Sequence, residues 1–578
     1  MSKINGQEQL NKSLALSLEI PEEPIDNYIF KNNGNTTFSK ANEDWSLSHV
    51  GFSNGAAYGD LDNDGDLDLV INNIDQEVAI FRNDMQNSST QNYLKIKLIG
   101  NEKNIHGIGS KVTLLTKGGR QQVQIIMTSK GYQSSVEPLA YFGLDNHEEV
   151  DKMTINWPDG TFQEVTQITL NQLIEITKSR SPIPPKNTKP LLFSNVTNQI
   201  KPNFTHSENI YNDFYHQVLL PHKMSNFGPA LAKGDVNGDG LEDLFVGNGS
   251  MFSAKLYLQK GNESFEYAYT SIEEDSIYED MDAIFFDADG DGDDDLYVVS
   301  GGNVFPHGSW EYEDRLYVNI NGHFKRSMTA IPSIYSTGGR IIPHDYDKDG
   351  DMDLLVTGRL KPHAYPDPGE SFLLENVTAI KDQIRFNNVT QEVIPRIARL
   401  GMITDGIFAD INGNGLDELI LAGEWTGILT FALNEGRYEP FESALSNYKG
   451  WWFSLAQADL DHDGDIDLVA GNLGLNYKYQ ASNKATFDLY VDDFDLNSSQ
   501  DLVLGYFNNG EQFPVRGRQC SSEQIPAIEL KFKDYNSFAS ASLESIYGKK
   551  ELDDARHLQV NSFSSKVFIN DGQGNFEA

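Results

Sequence analysis

Seven short stretches of this 578-residue chain place acid at a fixed spacing. The pattern D-x-[DN]-x-[DN]-G-x-x-[DE] begins at Asp60, Asp235, Asp287, Asp345, Asp410 and Asp459, with a degenerate seventh copy at Asp493. Positions 1, 3, 5 and 9 are Asp60, Asp62, Asp64 and Asp68 in the first copy, and Asp235, Asn237, Asp239 and Asp243 in the second. They are Asp287, Asp289, Asp291 and Asp295 in the third, and Asp345, Asp347, Asp349 and Asp353 in the fourth. The last three copies supply Asp410, Asn412, Asn414 and Glu418, then Asp459, Asp461, Asp463 and Asp467, then Asp493, Asp495, Asn497 and Asp501. Oxygen at these four positions, with a backbone carbonyl at position 7, forms the hard shell that Ca²⁺ prefers; Mg²⁺ demands stricter octahedral geometry and holds its waters. Glycine at position 6 allows the positive φ of a sharp turn. Carboxylates this close repel one another unless a cation lies among them. The expected cofactor is therefore several structural Ca²⁺ ions, and seven would bring the formal charge from −40 to −26. The Asp410 loop, with two Asn and a Glu, is expected to be weaker, and Ser498 in place of glycine weakens the Asp493 loop.

The elements around the loops decide which calcium motif this is. An EF-hand needs a bidentate Glu at position 12; here that residue is Ile71, Val246, Val298, Val356, Leu421 or Ala470. Short apolar runs flank each loop, such as Ile284-Phe285-Phe286 before and Leu354-Leu355-Val356 after, so the unit reads as strand, ion loop, strand. Further hairpin signatures, each ending in an Asn/Gly turn and an aromatic, occur at 28–38, 255–265, 315–324, 428–438 and 566–576. The closing aromatics Phe38, Phe265, Phe324 and Tyr438 lie 22, 22, 21 and 21 residues before the next Asp of an ion loop. Two hairpins per repeat make a four-stranded propeller blade, so the expected fold is an all-β propeller of about seven such blades. Length varies between the ion loop and the next hairpin, which puts the insertions on one side of each blade.

Asp60 and Asp235 are 175 residues apart, against 49–65 for the next four intervals. The excess, residues 91–178, alternates like a small inserted β-domain, and Ser181-Pro182-Ile183-Pro184-Pro185-Lys186 reads as a linker. The expected organisation is a blade region at 1–90, the β-domain at 91–178, a linker at 179–192 and a calcium-binding propeller at 193–578. Residues 514–560 interrupt the last part, and Tyr535 to Asp554, which lacks alternation, is expected to contain helix. Both ends stop within a repeat, and the expectation is a monomeric piece of a longer protein.

Composition removes several classes of function. A net charge of −40 repels a phosphate backbone, so no nucleic-acid partner is expected. The single Cys520 excludes an intramolecular disulfide framework and a Cys-rich zinc module. No apolar run reaches 18 residues, so no transmembrane segment is expected, and Met1 to Leu10 carry no apolar leader. Gly107-Ile108-Gly109 lacks the third glycine and the strand-to-helix setting of a phosphate loop. His206, His216 and His222 are read as hydrogen-bonded loop histidines before a metal or general-base site, and Trp425, Trp451 and Trp452 as core before a sugar platform.

The ion loops resemble those of the VCBS/FG-GAP repeat family, also found in integrin α-subunit propellers. Residues 91–178 resemble the ASPIC/UnbV domain through Gly107-Ile108-Gly109-Ser110-Lys111-Val112, Gly131-Tyr132-Gln133-Ser134-Ser135-Val136 and Trp157-Pro158-Asp159-Gly160. The combination is similar to large bacterial exported proteins with one propeller on each side of that domain. The resemblance implies that 1–90 ends a first propeller, that the chain is exported to the cell surface or exterior, and that calcium sits in the loops; it carries no catalytic residue. The expected function is a calcium-stabilised binding or adhesion module without catalysis, taking a glycan or protein ligand on insertions near 300–312, 360–370 and 514–560. The alternative is a polysaccharide hydrolase or lyase on a propeller scaffold. An intracellular calcium sensor is disfavoured, because cytosolic calcium would leave sites of extracellular grade empty.

Overall fold

The computed structural model describes residues 23–84, 91–146, 149–179, 192–261, 264–381 and 383–578. The Pro-rich stretch 181–186 and the first ten residues lie outside them. The chain forms two compact units, residues 1–194 and 195–578.

In the second unit, strands with both faces buried stack into a series of sheets. Sheet B comprises Leu231–Gly234, Asp243–Val246, Lys255–Gln259 and Phe265–Ala268, with Ile200–Lys201 added in parallel at its edge. Sheet C comprises Asp280–Phe286, Asp295–Ser300, Arg315–Ile320 and His323–Ser327, and sheet D comprises Gly338–His344, Asp353–Gly358, Phe372–Asn376 and Phe386–Asn388. Sheet E is Met402–Ala409, Glu418–Thr426, Leu429–Asn434 and Arg437–Pro440. Sheet F is Gly450–Ala458, Asp467–Asn472, Lys566–Asn570 and Phe576–Glu577, and the pair Glu424–Trp451 joins it to sheet E.

Strand Asp295–Ser300 shows how the sequence builds this stack. Its side chains alternate in direction, as strand geometry requires. Leu296 and Val298 enter one core with Phe245 and Leu256 of sheet B, while Tyr297 and Val299 enter another with Leu354 and Val356 of sheet D. A strand sandwiched on both faces reads as an uninterrupted apolar run, which is why Leu-Tyr-Val-Val follows its acid loop. Equivalent cores lie between sheets D and E and between E and F. Four-stranded sheets packed face to face in this way are the blades of a propeller, the architecture expected from the repeats.

Apart from the parallel edge strand of sheet B, the strands within each sheet are antiparallel, so the ends sort themselves. The ion loop joins strands one and two, and a connection at the same end joins three and four, a tight turn in sheet C and a longer loop, 377–385, in sheet D. The connections between strands two and three leave from the opposite end. Two of them are long, residues 301–314 and 359–371. The longest, 473–565, interrupts sheet F and builds a further sheet, G, from Phe487–Asp492, Asp501–Asn508, Glu511–Pro514 and Arg556–Val560.

Sheet G differs from simple repetition. Its ion loop, at Asp493, follows the usual first strand, but the outer hairpin is replaced by one short strand and five helices between Arg518 and Asp554. The last strand then returns beside the first. Helix was expected at 535–554 and is found there; the interruption is wider than 514–560 and includes the Asp493 loop. The physical reason is a separate core in which Phe487, Leu489, Leu502 and Val560 pack on Trp425, Trp451, Leu219 and Met224.

The first unit carries sheet A, Ser53–Gly59, Asp68–Asn73 and Ala79–Phe81, which holds the Asp60 loop. Two further sheets enclose a core of Leu94, Ile96, Leu98, Val112, Leu114, Phe142, Ile155 and Trp157. One of them contains Asn92–Ile99 paired in parallel with Leu173–Thr177.

Candidate metal centres

All seven acid loops lie between paired antiparallel strands and share one hydrogen bond from position 2 to position 9, and five of them also share the pattern at position 1. The position-1 carboxylate is the hub. Asp345 Oδ1 accepts the Asp349 amide and Oδ2 the Gly350 amide, both at 3.1 Å. Asp235, Asp287, Asp410 and Asp493 repeat this arrangement. Position 6 turns with positive φ, 104° at Gly350, and Ser498 adopts φ 68° where the sequence departs from glycine. The Asp493 loop therefore closes without its glycine, at the cost of holding a residue with a Cβ in the left-handed region.

The position-9 carboxylate is the staple. One oxygen accepts the amide of position 2, as in Leu61 to Asp68 at 2.8 Å and Leu460 to Asp467 at 2.8 Å. The other accepts an amide at the end of the third strand: Gln259 to Asp243 at 2.7 Å, Asn319 to Asp295 at 2.8 Å, Asn376 to Asp353 at 2.8 Å, and Asn570 to Asp467 at 2.9 Å. Each carboxylate oxygen has a second lone pair, so this role leaves room for an ion.

Five loops bring three carboxylate oxygens within 4.8 Å of one another: Asp60, Asp62 and Asp68; Asp287, Asp289 and Asp291; Asp345, Asp347 and Asp353; Asp459, Asp461 and Asp467; Asp493, Asp495 and Asp501. Such clusters can hold a metal ion. The Asp235 and Asp410 loops are not among them; Asn237, Asn412 and Asn414 replace carboxylates there, and Asn412 Nδ2 donates to Glu418 at 2.5 Å. In four of these five, Asp64, Asp349, Asp463 and Asp295 stand outside the triplet, and the Asp493 loop has Asn497 at that position.

Two observations bear on whether these residues suit a cation. Buried oxygens of Asp60, Asp351, Asp459, Asp465 and Asp495 have no hydrogen-bond partner, a costly state that a cation would relieve. Burial and neighbouring acids push Asp353 and Asp295 up to about 7, and Asp351 and Asp501 up to about 6. A hard divalent ion answers both, since it satisfies the oxygens and favours their ionised form.

Two kinds of residue escaped the sequence reading. Asp351 and Asp465 occupy position 7, where only a backbone carbonyl was expected, yet each turns an oxygen into its loop. Asn319, Asn376 and Asn570, at the ends of third strands, donate through Nδ2 to Val236, Ala288 and Ile411 of the preceding sheet, each at 2.9 Å. They tie every ion loop concerned to its neighbour. The signal was an Asn closing each hairpin run, but its partner lies more than 80 residues away.

The FG-GAP-like repeat pattern matches residues 23–93, 235–298, 287–356 and 410–470, and the ASPIC and UnbV pattern matches 100–183. The chain is an FG-GAP repeat protein with an ASPIC/UnbV domain. Cartilage acidic protein 1 of Mus musculus is 29% identical to it over 168 residues, 28% of this chain and 25% of that protein. The same protein of Homo sapiens is 28% identical over 153 residues, 26% of this chain and 22% of that one. The matched part of this FG-GAP protein thus spans a quarter or less of these relatives. Two solved structures, "Structure of Dos1 propeller" and "Cryo-EM structure of RAG in complex with one melted RSS and one unmelted RSS", align at TM-scores of 0.25 and 0.22. Their identities are 9% and 13%; the first alignment covers 66% of this chain and 78% of the other, the second 39% and 67%.

The opposite end of the FG-GAP sheets carries a different polar network. Buried Asp213 accepts Ser225 Oγ at 2.7 Å and Asn303 Nδ2 at 2.8 Å, and Asn303 Oδ1 accepts the His363 amide at 2.9 Å. His363 also pairs with Tyr211 Oη at 2.8 Å and stacks on His216 at 4.0 Å between centroids. Buried Glu424 binds Arg359 and, at 3.2 Å, Tyr365 Oη; despite its burial, the nearby Arg359 guanidinium holds it down to about 2. The three sequence-flagged histidines take different partners: His206 binds Glu208, His216 stacks on His363, and His222 lies 3.5 Å from Glu424. Trp425, Trp451 and Trp452 are buried in core, as the sequence reading favoured. No helix among the described residues is long and apolar enough to cross a membrane.

Proposed function

We propose that this FG-GAP protein is a calcium-stabilised binding or adhesion module of the cell exterior, without catalysis, and that it takes a glycan or protein ligand on the end of its sheets opposite the ion loops. The ions proposed are Ca²⁺, held by the loop residues named above at positions 1, 3, 5 and 9. The observation that carries this reading is the division between the two ends. One end is committed to acid loops stapled to their neighbours; the other displays long connections braced by the Asp213–Asn303–His363 network. Trp310 projects from the first of those connections, 53% exposed, and Tyr215 from the Asp213–Tyr215 turn that precedes Leu231–Gly234 of sheet B, 83% exposed; such amphipathic rings dominate binding surfaces. The exterior location is supported by the loops themselves, since extracellular calcium modules work at about 10⁻⁴–10⁻³ M, and by relatives named for cartilage.

A glycan array and affinity capture with defined extracellular proteins, run on wild type and on a Tyr215→Ala/Trp310→Ala variant, test the proposal. The expected result is binding that the variant loses by about tenfold or more while its melting temperature is unchanged. Retained binding in the variant removes the assignment of this face. Release of new reducing ends from a polysaccharide would replace the binder by an enzyme.

A further inference from the structure

The Asp60 loop differs from its six counterparts in what lies against it. Strand Asn92–Ile99, which shares its sheet and core with the ASPIC/UnbV region that follows it, lies against the loop. Its inward residues Leu94, Ile96 and Leu98 enter the domain core, and the alternate side chains Tyr93 and Lys95 point the other way. Lys95 Nζ contacts Asp60 Oδ2, with both side chains largely buried. Tyr93 lies over the loop's glycine so closely that its ring leaves no room for a Cβ on Gly65. Among the described residues, no other ion loop has its position-1 carboxylate paired with a lysine or arginine.

What sets the Asp60 hub apart is the ammonium on one of its oxygens. At Asp235, Asp287, Asp345, Asp410 and Asp493 the position-1 carboxylate accepts amides on both oxygens, whereas Asp459, like Asp60, keeps a buried Oδ1 without a partner. At Asp60 the Gly65 amide reaches Oδ2, the oxygen that Lys95 also contacts, and Oδ1 is buried without a hydrogen-bond partner. One oxygen of the hub is thus taken by an ammonium, and the other remains for an ion that must bind beside a fixed positive charge.

We infer that Lys95 is a tethered cation that competes with calcium at the Asp60 loop, so that ion binding there is coupled to the docking of the ASPIC/UnbV domain on sheet A. The inference rests on the calcium reading of the loops. By charge alone the Asp60 loop, with carboxylate at all four side-chain positions, belongs with the strongest; the ammonium makes it weaker than the equally acidic Asp345 and Asp459 loops. Coupling of this kind is reciprocal: whatever Lys95 subtracts from calcium affinity, calcium subtracts from the hold of Lys95 on the loop.

The test is calcium titration of the full chain by calorimetry, with amide exchange followed in residues 61–67 and 92–99. Lys95→Met is expected to tighten one site by about tenfold or more, a consequence of removing one adjacent positive charge. Adding Asp60→Asn to that variant removes the tightened site. An unchanged or weaker site in Lys95→Met overturns the inference while the other six loops still report on the calcium reading, and absence of binding at every loop overturns both. Should Lys95→Met fail to fold, wild type decides: exchange in 92–99 is expected to quicken as calcium saturates the chain, and exchange indifferent to calcium defeats the coupling.

Discussion

At the scale of single residues, the carboxylates of this protein divide by what faces them. Those in the loops face one another and gain from a cation. Asp314 faces the protein interior: it accepts the Ser300 amide and the Tyr297 hydroxyl, each at 2.8 Å, and burial still pushes it up to about 7. Its ordinary value is 3.8, so between roughly pH 4 and 7 the folded chain keeps a proton that the unfolded chain releases. Asp314 therefore contributes stability at pH 4 that is lost as the pH rises through 7. Denaturant melts of wild type and Asp314→Asn across this range should show the difference as a slope. Wild type is expected to lose on the order of a few kcal/mol more than the variant between pH 4 and 8. Equal slopes would mean that Asp314 is ionised in the folded chain throughout.

At the scale of elements, neighbouring sheets are joined by two devices of different character. One is apolar burial on both faces of the second strands of sheets C, D and E, which is tolerant of detail. The other is the asparagine link at the ion-loop end, which is not. Asn376 Nδ2 reaches the buried carbonyl of Ala288, and its Oδ1 accepts the Thr378 amide at 3.0 Å. Asn376→Ala would leave that carbonyl without a donor, at a cost of about 1–3 kcal/mol. A drop in the denaturation midpoint without loss of calcium stoichiometry is the expected signature. A loss of one calcium site instead would make the link part of the ion centre.

At the scale of the whole molecule, the loops and the sheets stabilise each other. Strands one and two are held by pairing and core, but the turn between them gathers like charge. A bound ion at 100-fold excess over its Kd adds about 2.7 kcal/mol of stability per site. Chelation of several sites should therefore lower the melting temperature by on the order of 10 °C, given the usual few degrees per kcal/mol. Calorimetry with calcium and with chelator checks this, and coincident transitions would remove calcium from the account of stability.

Much of this was legible in one dimension because strand pairing across a short loop is local. Nine residues with oxygens at fixed positions, bracketed by alternating apolar runs, specify a hairpin and its chemistry wherever they occur, and the Asp60, Asp345 and Asp459 loops look alike in sequence for that reason. Position 7 shows the limit: whether Asp351 turns inward depends on the curvature of the closed loop. What tertiary structure alone decided is long-range. Asn319 meets Val236, sheet G grows out of sheet F, and Lys95 reaches Asp60, because packing brings together segments that no spacing rule connects. The local code determined that cations are wanted; the folded chain decided which loop already has one of its own.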